Sequence, residues 1–284
     1  MTNKSYIHLI SKDQQSVSDL RKSMIEWIFH LGDKLKQRSL TLQIAIVYID
    51  KLFQKYQDLV QDKDKYLWGL VALLLASKYD EIDSNIPYIE DFKYCSSKAK
   101  FSSIQVKSWE DKFIKHLEWD LMVVSPLNYT YTLLTFGVLF TDDEVKYKNK
   151  LFLSKNENQN DAEENKKEQE VISHKIKSVR KYCEFFTDMA LQSFDWQQYK
   201  YSIQALSAVI AARRTCGIKP IWSKHFKIIT GYDFAEIEEW YIKLFAKYEK
   251  FFCKTKIANK SKSHADKENK SRKPQNSSMF FHSK

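Results

Sequence analysis

The sequence predicts an all-α fold with a buried central helix in each of two successive repeats. Only five Gly and four Pro occur in 284 residues, which leaves little material for the turns and bulges of a sheet protein. The segment 67–77 is apolar on nearly every side and is followed by Lys78. Because a helix that is apolar all round must be enclosed by other helices, this segment should be the central rod of a bundle.

Composition limits the classes of protein to which the chain can belong. The hydrophobic fraction of 43% is large enough to bury a core, and the length suits about two domains. No apolar run approaches the ~18 residues of a membrane span, and the first residues lack the apolar core of a secretory signal. The four cysteines have no metal-ligand spacing, so we expect no metal, no cofactor and a reducing compartment, the nucleus or the cytoplasm.

The net charge of +10 is concentrated in the C-terminal tail, 251–284. Residues 254–284 hold nine Lys or Arg against two acidic residues, a net charge of +7. Because the tail has few apolar residues, we expect it to be disordered, and the polar segment 141–171 should be a disordered insertion for the same reason. The basic excess lies outside the repeats, so no nucleic-acid partner is expected.

Helical periodicity divides the remaining chain into five helices per repeat. In the first repeat, apolar spacing predicts helices at 17–35, 39–53, 66–79, 87–92 and 102–121. In the second repeat, it predicts helices at 129–136, 172–194, 199–215, 222–229 and 234–248. The third helix of each repeat is apolar on most faces, so the halves share an architecture although they share little residue identity.

Several short segments, in the right order, make the chain resemble the cyclin family from Val17 to about Lys250. In the first half they are Arg21–Trp27, Ile46–Lys51, Leu75–Ile82 and Glu110–Leu121. In the second half they are Tyr199–Ile203, Ala211–Arg214 and Ile229–Tyr232. The resemblance implies two tandem five-helix cyclin-box domains, 17–122 and 125–250, after a short N-terminal extension, 1–16.

The resemblance also implies a non-catalytic regulator that binds and activates a cyclin-dependent Ser/Thr kinase in cell-cycle control. In the family, a lysine at the end of the third helix and a glutamate in the fifth contact the kinase's mobile helix. The matching positions here are Lys78 and Glu110, with Ile82 and Phe113 as candidate apolar neighbours. The alternative is that Lys78 only complements a helix dipole and that Glu110 lies on a solvated face.

The first helix of many cyclins contributes an apolar groove that recruits substrates bearing an Arg-x-Leu motif. The corresponding residues here are Leu20, Met24, Trp27 and Tyr66. Ser23, His30 and Tyr66 itself depart from the family pattern, and the alternative is that these side chains only pack inside the box. Arg21 and Asp50 match a family pair with a structural role, since charges withdrawn from water must be paired.

Two features bear on regulation and subfamily. Lys267-Glu268-Asn269 in the tail spells a KEN box, the degron read by the anaphase-promoting ubiquitin ligase, which would be accessible in a disordered tail. The segment 83–87 is about two residues longer than the corresponding loop of A and B cyclins. It is closer to that of cyclin J and other divergent groups, so the subfamily stays open.

Two other classes of function compete with kinase activation. One is a cyclin-fold nucleic-acid-binding core of the general transcription factor type, and the other is a scaffold that keeps the fold without activating a kinase. An enzyme is not expected, because the sequence has no Ser-His-Asp set, metal cluster or Gly-rich phosphate loop.

Overall fold

The computed structural model describes residues 14–56, 64–95, 101–147, 150–153, 162–192 and 200–271. These residues form ten α-helices and three short strands, which confirms the all-α class with five helices in each repeat. The helices are α1 (Gln14–Lys34), α2 (Ser39–Tyr56), α3 (Lys65–Asp80), α4 (Ile89–Cys95), α5 (Ser103–His116), α6 (Pro126–Thr135), α7 (Ala162–Leu191), α8 (Tyr201–Thr215), α9 (Lys224–Thr230) and α10 (Phe234–Ser271). Contacts group the chain into two units, 1–244, which contains both central helices, and 245–284. The box boundaries at 122–125 therefore stay a prediction.

Helix α3 is enclosed as its sequence predicts. The ten residues Trp68–Ser77 are all buried, and α3 packs against α1, α2 and α5. Gly69 allows α1 to approach closely, because a Cβ there would lie 3.2 Å from Trp27 Cδ1 and 3.5 Å from the Met24 carbonyl oxygen. Lys78 and Tyr79 are exposed, so the helix reaches the surface at its C-terminal end.

Helix α8 has the same place in the second repeat. Its residues Gln204–Arg213 are all buried, and it packs against α6 and α7. The prediction of a buried third helix in each repeat is therefore confirmed. The two helices share this burial although their sequences differ, because both are apolar over most of their circumference.

The polar segment 141–171 contains regular structure, contrary to the expectation of a disordered insertion. Strand β1 (Glu144–Tyr147) pairs antiparallel with β2 (Lys150–Leu153) and with β3 (Ile218–Lys219), in the order β2-β1-β3. Val145 lies opposite Ile218 in this sheet, and both side chains are buried. These few apolar residues suffice to bury β1 because β3 comes from a distant part of the chain and covers them. The composition of the segment 141–171 cannot reveal this pairing.

The tail also differs from its expected disorder. Helix α10 continues to Ser271, and residues 272–284 lie outside the described residues. The segment 234–271 has no Gly or Pro and many Ala, Glu and Lys residues, which favour a helix without needing burial. A tail with few apolar residues can therefore still be helical, and composition alone did not predict this helix.

Each repeat contains a buried ion pair. Arg21 of α1 donates two hydrogen bonds to Asp50 of α2, at 2.7 and 2.9 Å, and both side chains are buried. This arrangement agrees with the structural role expected for the pair. In the second repeat, the fully buried Arg213 bonds to Asp143 (3.0 Å), and also to the carbonyl oxygens of Val138 and Pro220. Removing one partner of such a pair typically costs about 3–5 kcal/mol, because the other charge stays buried.

Gln43 of α2 connects the two repeats through buried hydrogen bonds. Its Nε2 donates to Thr187 Oγ1 (2.9 Å) and to Asp188 Oδ1 (2.7 Å) of α7. Its Oε1 accepts from the backbone N–H of Leu127 in α6 (3.1 Å). One amide therefore satisfies groups on two helices of the second repeat, which fixes where α2 meets them.

The described helices include none that is long and apolar enough to cross a membrane. The cysteines in this part of the chain, Cys95, Cys183 and Cys216, are free thiols. Cys183 and Cys216 are buried among packed helices. Burial raises the pKa of both thiols, which keeps them protonated and unreactive at neutral pH.

We predict that Asp188→Asn stabilises the protein at neutral and alkaline pH. Burial, with the nearby charge of Glu184, raises the pKa of Asp188 to about 7, above its ordinary unfolded value of about 3.9. The unfolded state therefore loses this proton first, and the native state becomes relatively less stable as pH rises from about 4 to about 7. Asparagine keeps an acceptor for Gln43 and removes the charge.

The measurement is chemical denaturation of both proteins between pH 5 and pH 8. The stability advantage of Asp188→Asn should grow with pH and reach on the order of 2–4 kcal/mol at pH 8. An advantage that is equal at pH 5 and pH 8 would contradict the prediction, because an uncharged packing effect has no such pH dependence.

Candidate partner-binding site

Lys78 and Glu110, predicted from the sequence as a pair, lie in direct contact. Lys78 Nζ at the end of α3 donates to Glu110 Oε1 of α5. The lysine side chain is 48% exposed and the glutamate side chain 15% exposed. The pair therefore lies where the buried helix α3 meets the surface, with both charges accessible at one edge.

The start of α5 and its apolar face explain why Glu110 points toward α3. Ser102 caps the helix by accepting from the Gln105 N–H, and the Gln105 side chain accepts from the Ser102 N–H in return. This capping box sets the first turn of the helix. Val106 and Phe113 are then fully buried, and Glu110 lies on the same side, four residues after one and three before the other.

The two apolar residues predicted to lie beside the pair, Ile82 and Phe113, differ in exposure. Ile82 is 70% exposed, just after α3, where it could contact a partner. Phe113 has no exposed surface, and its ring packs against Trp68 at 5.0 Å between centroids. The prediction of Phe113 as a contact residue was wrong, because helical spacing turns its side chain into the core.

Tyr79, which follows Lys78, and Trp119, in the turn after α5, are exposed apolar side chains that sequence reasoning did not single out. Glu118 and Trp119 both have positive φ angles, 55° and 61°, which are unfavourable for residues with a side chain. This turn after α5 leaves Trp119 73% exposed. A tryptophan in an apolar helical pattern looks like a core residue, and only the left-handed turn reveals that it is not.

The turn that carries Trp119 is held against the end of the second helix. Tyr48 donates to the Leu121 carbonyl oxygen (2.8 Å), and Lys51 Nζ bonds to Asp120 Oδ2 (2.6 Å). Burial, with the nearby Tyr79 and Asp120, raises the pKa of the Tyr48 hydroxyl. These contacts fix the turn against α2, and Tyr48 is near enough to both Asp120 of the turn and Tyr79 of α3 to interact electrostatically with each.

The four residues of the predicted Arg-x-Leu groove differ in exposure. Met24 and Trp27 are buried, whereas Leu20 and Tyr66 are only partly exposed. The Trp27 indole donates to the Tyr66 carbonyl oxygen (3.1 Å) and packs against the Tyr66 ring at 5.1 Å. The His30 ring also stacks on Trp27, with ring centroids 5.5 Å apart. Met24 and Trp27 therefore pack α1 against α3, and docking of an Arg-x-Leu motif at this surface stays a prediction.

The KEN triplet, Lys267 to Asn269, falls within α10, which ends at Ser271. This location differs from the extended, disordered setting expected from composition. A degron that is read as an extended segment would require this part of the helix to unwind.

Asp142, Ser223 and His225 come together in the second repeat, but their geometry is that of a helix cap. Ser223 Oγ accepts from the His225 N–H and lies 3.2 Å from His225 Nδ1, and Asp142 Oδ1 lies 3.2 Å from the same nitrogen. A catalytic relay needs the serine and the acid on opposite ring nitrogens. The described residues also contain no group of His, Cys, Asp or Glu placed to hold a metal.

Comparison with known proteins identifies the same family in both halves of the chain. The family described as "Cyclin, N-terminal domain" matches residues 1–122, and "Cyclin, C-terminal domain" matches residues 152–281. The solved structure of a viral cyclin from herpesvirus saimiri superimposes with a TM-score of 0.59 at 12% identity. It covers 81% of this chain and 84% of the viral one, so the two share a fold.

Two of the curated relatives that match this chain are named as a G2/mitotic-specific cyclin and a B-type cyclin. G2/mitotic-specific cyclin S13-7 of Glycine max is 25% identical over 232 residues, which cover 81% of this chain and 74% of that protein. Cyclin-B1-2 of Arabidopsis thaliana is 25% identical over 234 residues, which cover 82% of this chain but 43% of that protein. The chain thus spans less than half the length of some relatives. It belongs to the cyclin family, whose members are regulatory subunits of protein kinases without catalytic activity of their own.

Proposed function

We propose that this protein binds and activates a cyclin-dependent Ser/Thr kinase and acts in cell-cycle control. The observation that carries the proposal is the Lys78–Glu110 pair at an exposed edge of the first repeat. Tyr79 and Ile82 add exposed apolar surface close to Lys78 in the chain, and Trp119 adds more in the turn after α5. The similarity to proteins named G2/mitotic-specific cyclins supports the cell-cycle role.

The charges and the apolar side chains suit complementary parts of a kinase helix. Lys78 can donate to the free carbonyl oxygens at a helix end, whereas Glu110 can accept from backbone N–H groups or basic side chains. Their opposite signs orient the partner, since a reversed helix would bring like charges together. Burial of the exposed Trp119 ring would supply much of the affinity, as large aromatic anchors do at interfaces.

Activation would follow from the difference in affinity for two kinase conformations. A regulator that binds the active arrangement more tightly shifts the kinase population toward it, by an amount set by that difference. The active arrangement is the one in which the kinase's glutamate pairs with its ATP-site lysine. Catalysis remains with the kinase, and the regulator contributes a rigid, complementary surface.

We predict that Lys78→Ala and Glu110→Ala each weaken kinase binding at least about tenfold, or about 1.4 kcal/mol. The kinase is first identified by affinity purification of the full chain with mass spectrometry, and the dissociation constants are then measured with it. Lys115→Ala with Asp111→Ala is the matched control, because these residues form an exposed pair on the same helix (2.7 Å). Undiminished binding and activation by the Lys78 and Glu110 variants would contradict the proposal.

We predict that Trp119→Ala weakens the same binding by about 2 kcal/mol or more, as loss of a central aromatic anchor does. The ring is already exposed, so its removal should leave the thermal midpoint of unfolding nearly unchanged. Tyr94→Ala, which removes another highly exposed aromatic ring from the first repeat, is the control for nonspecific loss of apolar surface. Equal affinity of the Trp119 variant and the wild type would place this ring outside the interface.

The alternative function, nucleic-acid binding, has less support from the repeats. A nucleic-acid surface requires several accessible Lys and Arg side chains. Arg21 and Arg213 are buried in ion pairs, and Arg38, Lys51 and Lys78 are paired with acidic residues. Recovery of DNA or a polymerase, rather than a kinase, in the affinity purification would favour this alternative.

We also propose that the protein works in the nucleus or the cytoplasm. We further propose that the anaphase-promoting ubiquitin ligase recognises Lys267-Glu268-Asn269 and so directs the protein to degradation. Replacing all three residues by alanine should then prolong the half-life of the full chain during mitotic exit, as followed by immunoblotting in synchronised cells. Replacing Lys260, Ser261 and Lys262 by alanine is the control for general changes to this segment. Equal half-lives of wild type and KEN variant would mean that the triplet occurs by chance.

A further inference from the structure

The residues on both sides of Lys78 are tied to residues 37–41, which comprise the end of the α1–α2 loop and the first turn of α2 and are called the corner between α1 and α2. Ser77 Oγ donates to Gln37 Oε1 (2.6 Å). Arg38 NH2 bonds to Asp80 Oδ2 (3.0 Å), and Thr41 Oγ1 lies 2.8 Å from the same oxygen. The end of α3 is therefore held from one side by hydrogen bonds, while Lys78 itself reaches α5.

Arg38 performs the capping role that a lysine at a helix end often has. Its NH2 group also donates to the backbone carbonyl oxygen of Asp80, the last residue of α3. A cation in this position satisfies a free carbonyl and complements the negative end of the helix dipole. Because Arg38 takes this role, Lys78 Nζ is free to pair with Glu110 and to face a partner.

Arg38 also fixes the segment that follows α3. Its backbone N–H and its Nε donate to the two carboxylate oxygens of Glu81, at 2.9 and 3.1 Å. Asn85 Nδ2 donates to Glu81 Oε2 (2.8 Å), and the Asn85 carbonyl oxygen accepts from Gln37 Nε2 (3.0 Å). Ile82 lies between these anchored residues, so its exposed side chain projects from a restrained backbone.

The protonation state of Glu81 is consistent with this role. Burial opposes ionisation, but hydrogen bonds from Thr41, the Arg38 N–H and Asn85, together with the Arg38 charge, lower the pKa of Glu81. The carboxylate is therefore ionised at neutral pH and can accept all of these donors at once.

We propose that Arg38 is a positioning residue that holds Lys78 and Ile82 in the geometry needed for the kinase. This inference rests on the proposed function, because Arg38 acts on the same binding site. The Arg38 side chain is 54% exposed, but the Glu81 side chain that it pairs with is only 2% exposed, so loss of Arg38 also removes a partner from a shielded carboxylate. Loss of Arg38 should therefore change the geometry of the site and also lower stability, and the two effects are measured separately.

The variants that test this inference are Arg38→Met, which keeps much of the aliphatic stem, and Arg38→Lys, which keeps the charge without the planar fork. Lys36→Met is the matched control, since it removes an exposed cation from the loop immediately before the corner. The full chain is used throughout. Arg38→Met should lower the thermal unfolding midpoint moderately, because Glu81 loses a partner, so binding is compared at a temperature at which every variant is folded.

Arg38→Met should weaken kinase affinity about tenfold, Arg38→Lys should have an intermediate effect, and Lys36→Met none. In the Lys78→Ala background, the effect of Arg38→Met should shrink, because a positioning residue has less to position there. A full, additive effect in that background would mean that Arg38 touches the kinase itself and would overturn the inference. Affinity within twofold of wild type for Arg38→Met would also overturn it.

Hydrogen exchange of the unbound proteins separates this inference from the proposed function. The N–H groups of Glu81 and Asn85 bond to the carbonyl oxygens of Ser77 and Ile82, and Arg38→Met should speed their exchange about tenfold or more. Unchanged exchange would overturn the positioning role even if Lys78 binds a kinase. If exchange speeds up but the wild type binds no kinase, the proposed function fails, and with it the assignment of this site to a kinase.

Discussion

Ten consecutive residues of α3, Trp68–Ser77, are buried. Helices α1, α2 and α5 pack against α3 and keep these residues from water. The hydrophobic effect supplies the driving force, since apolar surface removed from water stabilises roughly in proportion to its area. Gly69 lets α1 approach at one side, and the Trp68 ring meets Phe113 of α5 at another. The positions of α1, α2 and α5 are consequences of enclosing one helix.

Directional contacts then select one arrangement from the many that would bury apolar surface. The Arg21–Asp50 pair sets α1 against α2, and Gln43 joins α2 to two helices of the second repeat. Buried charges and amides tolerate few alternative partners, because an unpaired one costs a large part of the total stability. The apolar core thus explains compactness, whereas these polar contacts explain the specific register of the helices.

The candidate site lies at the C-terminal end of α3, where the buried part of this helix ends. Lys78 is exposed because α3 leaves its enclosure there, and the residues on either side of it are hydrogen-bonded to the corner between α1 and α2. A surface whose backbone is already ordered loses less conformational entropy on binding. The same packing that stabilises the first repeat therefore prepares a rigid surface for a partner. This is suited to a regulator that works by selecting one conformation of a kinase.

The sequence by itself determined the helical class, the central place of α3 and α8, and the pairing of Lys78 with Glu110 and Arg21 with Asp50. These features depend on the periodicity of apolar residues and on short motifs, both of which can be read locally. Only the tertiary structure decided that Phe113 and Trp27 face inward, that Trp119 faces outward, and that Arg38 caps α3. Several of these outcomes depend on a contact with a distant segment. Phe113 packs on the ring of Trp68, Trp27 donates to the backbone of Tyr66, and Arg38 bonds to the end of α3. The strand pair Val145 and Ile218 was hidden for the same reason, since pairing between distant segments leaves no periodic signal in either one.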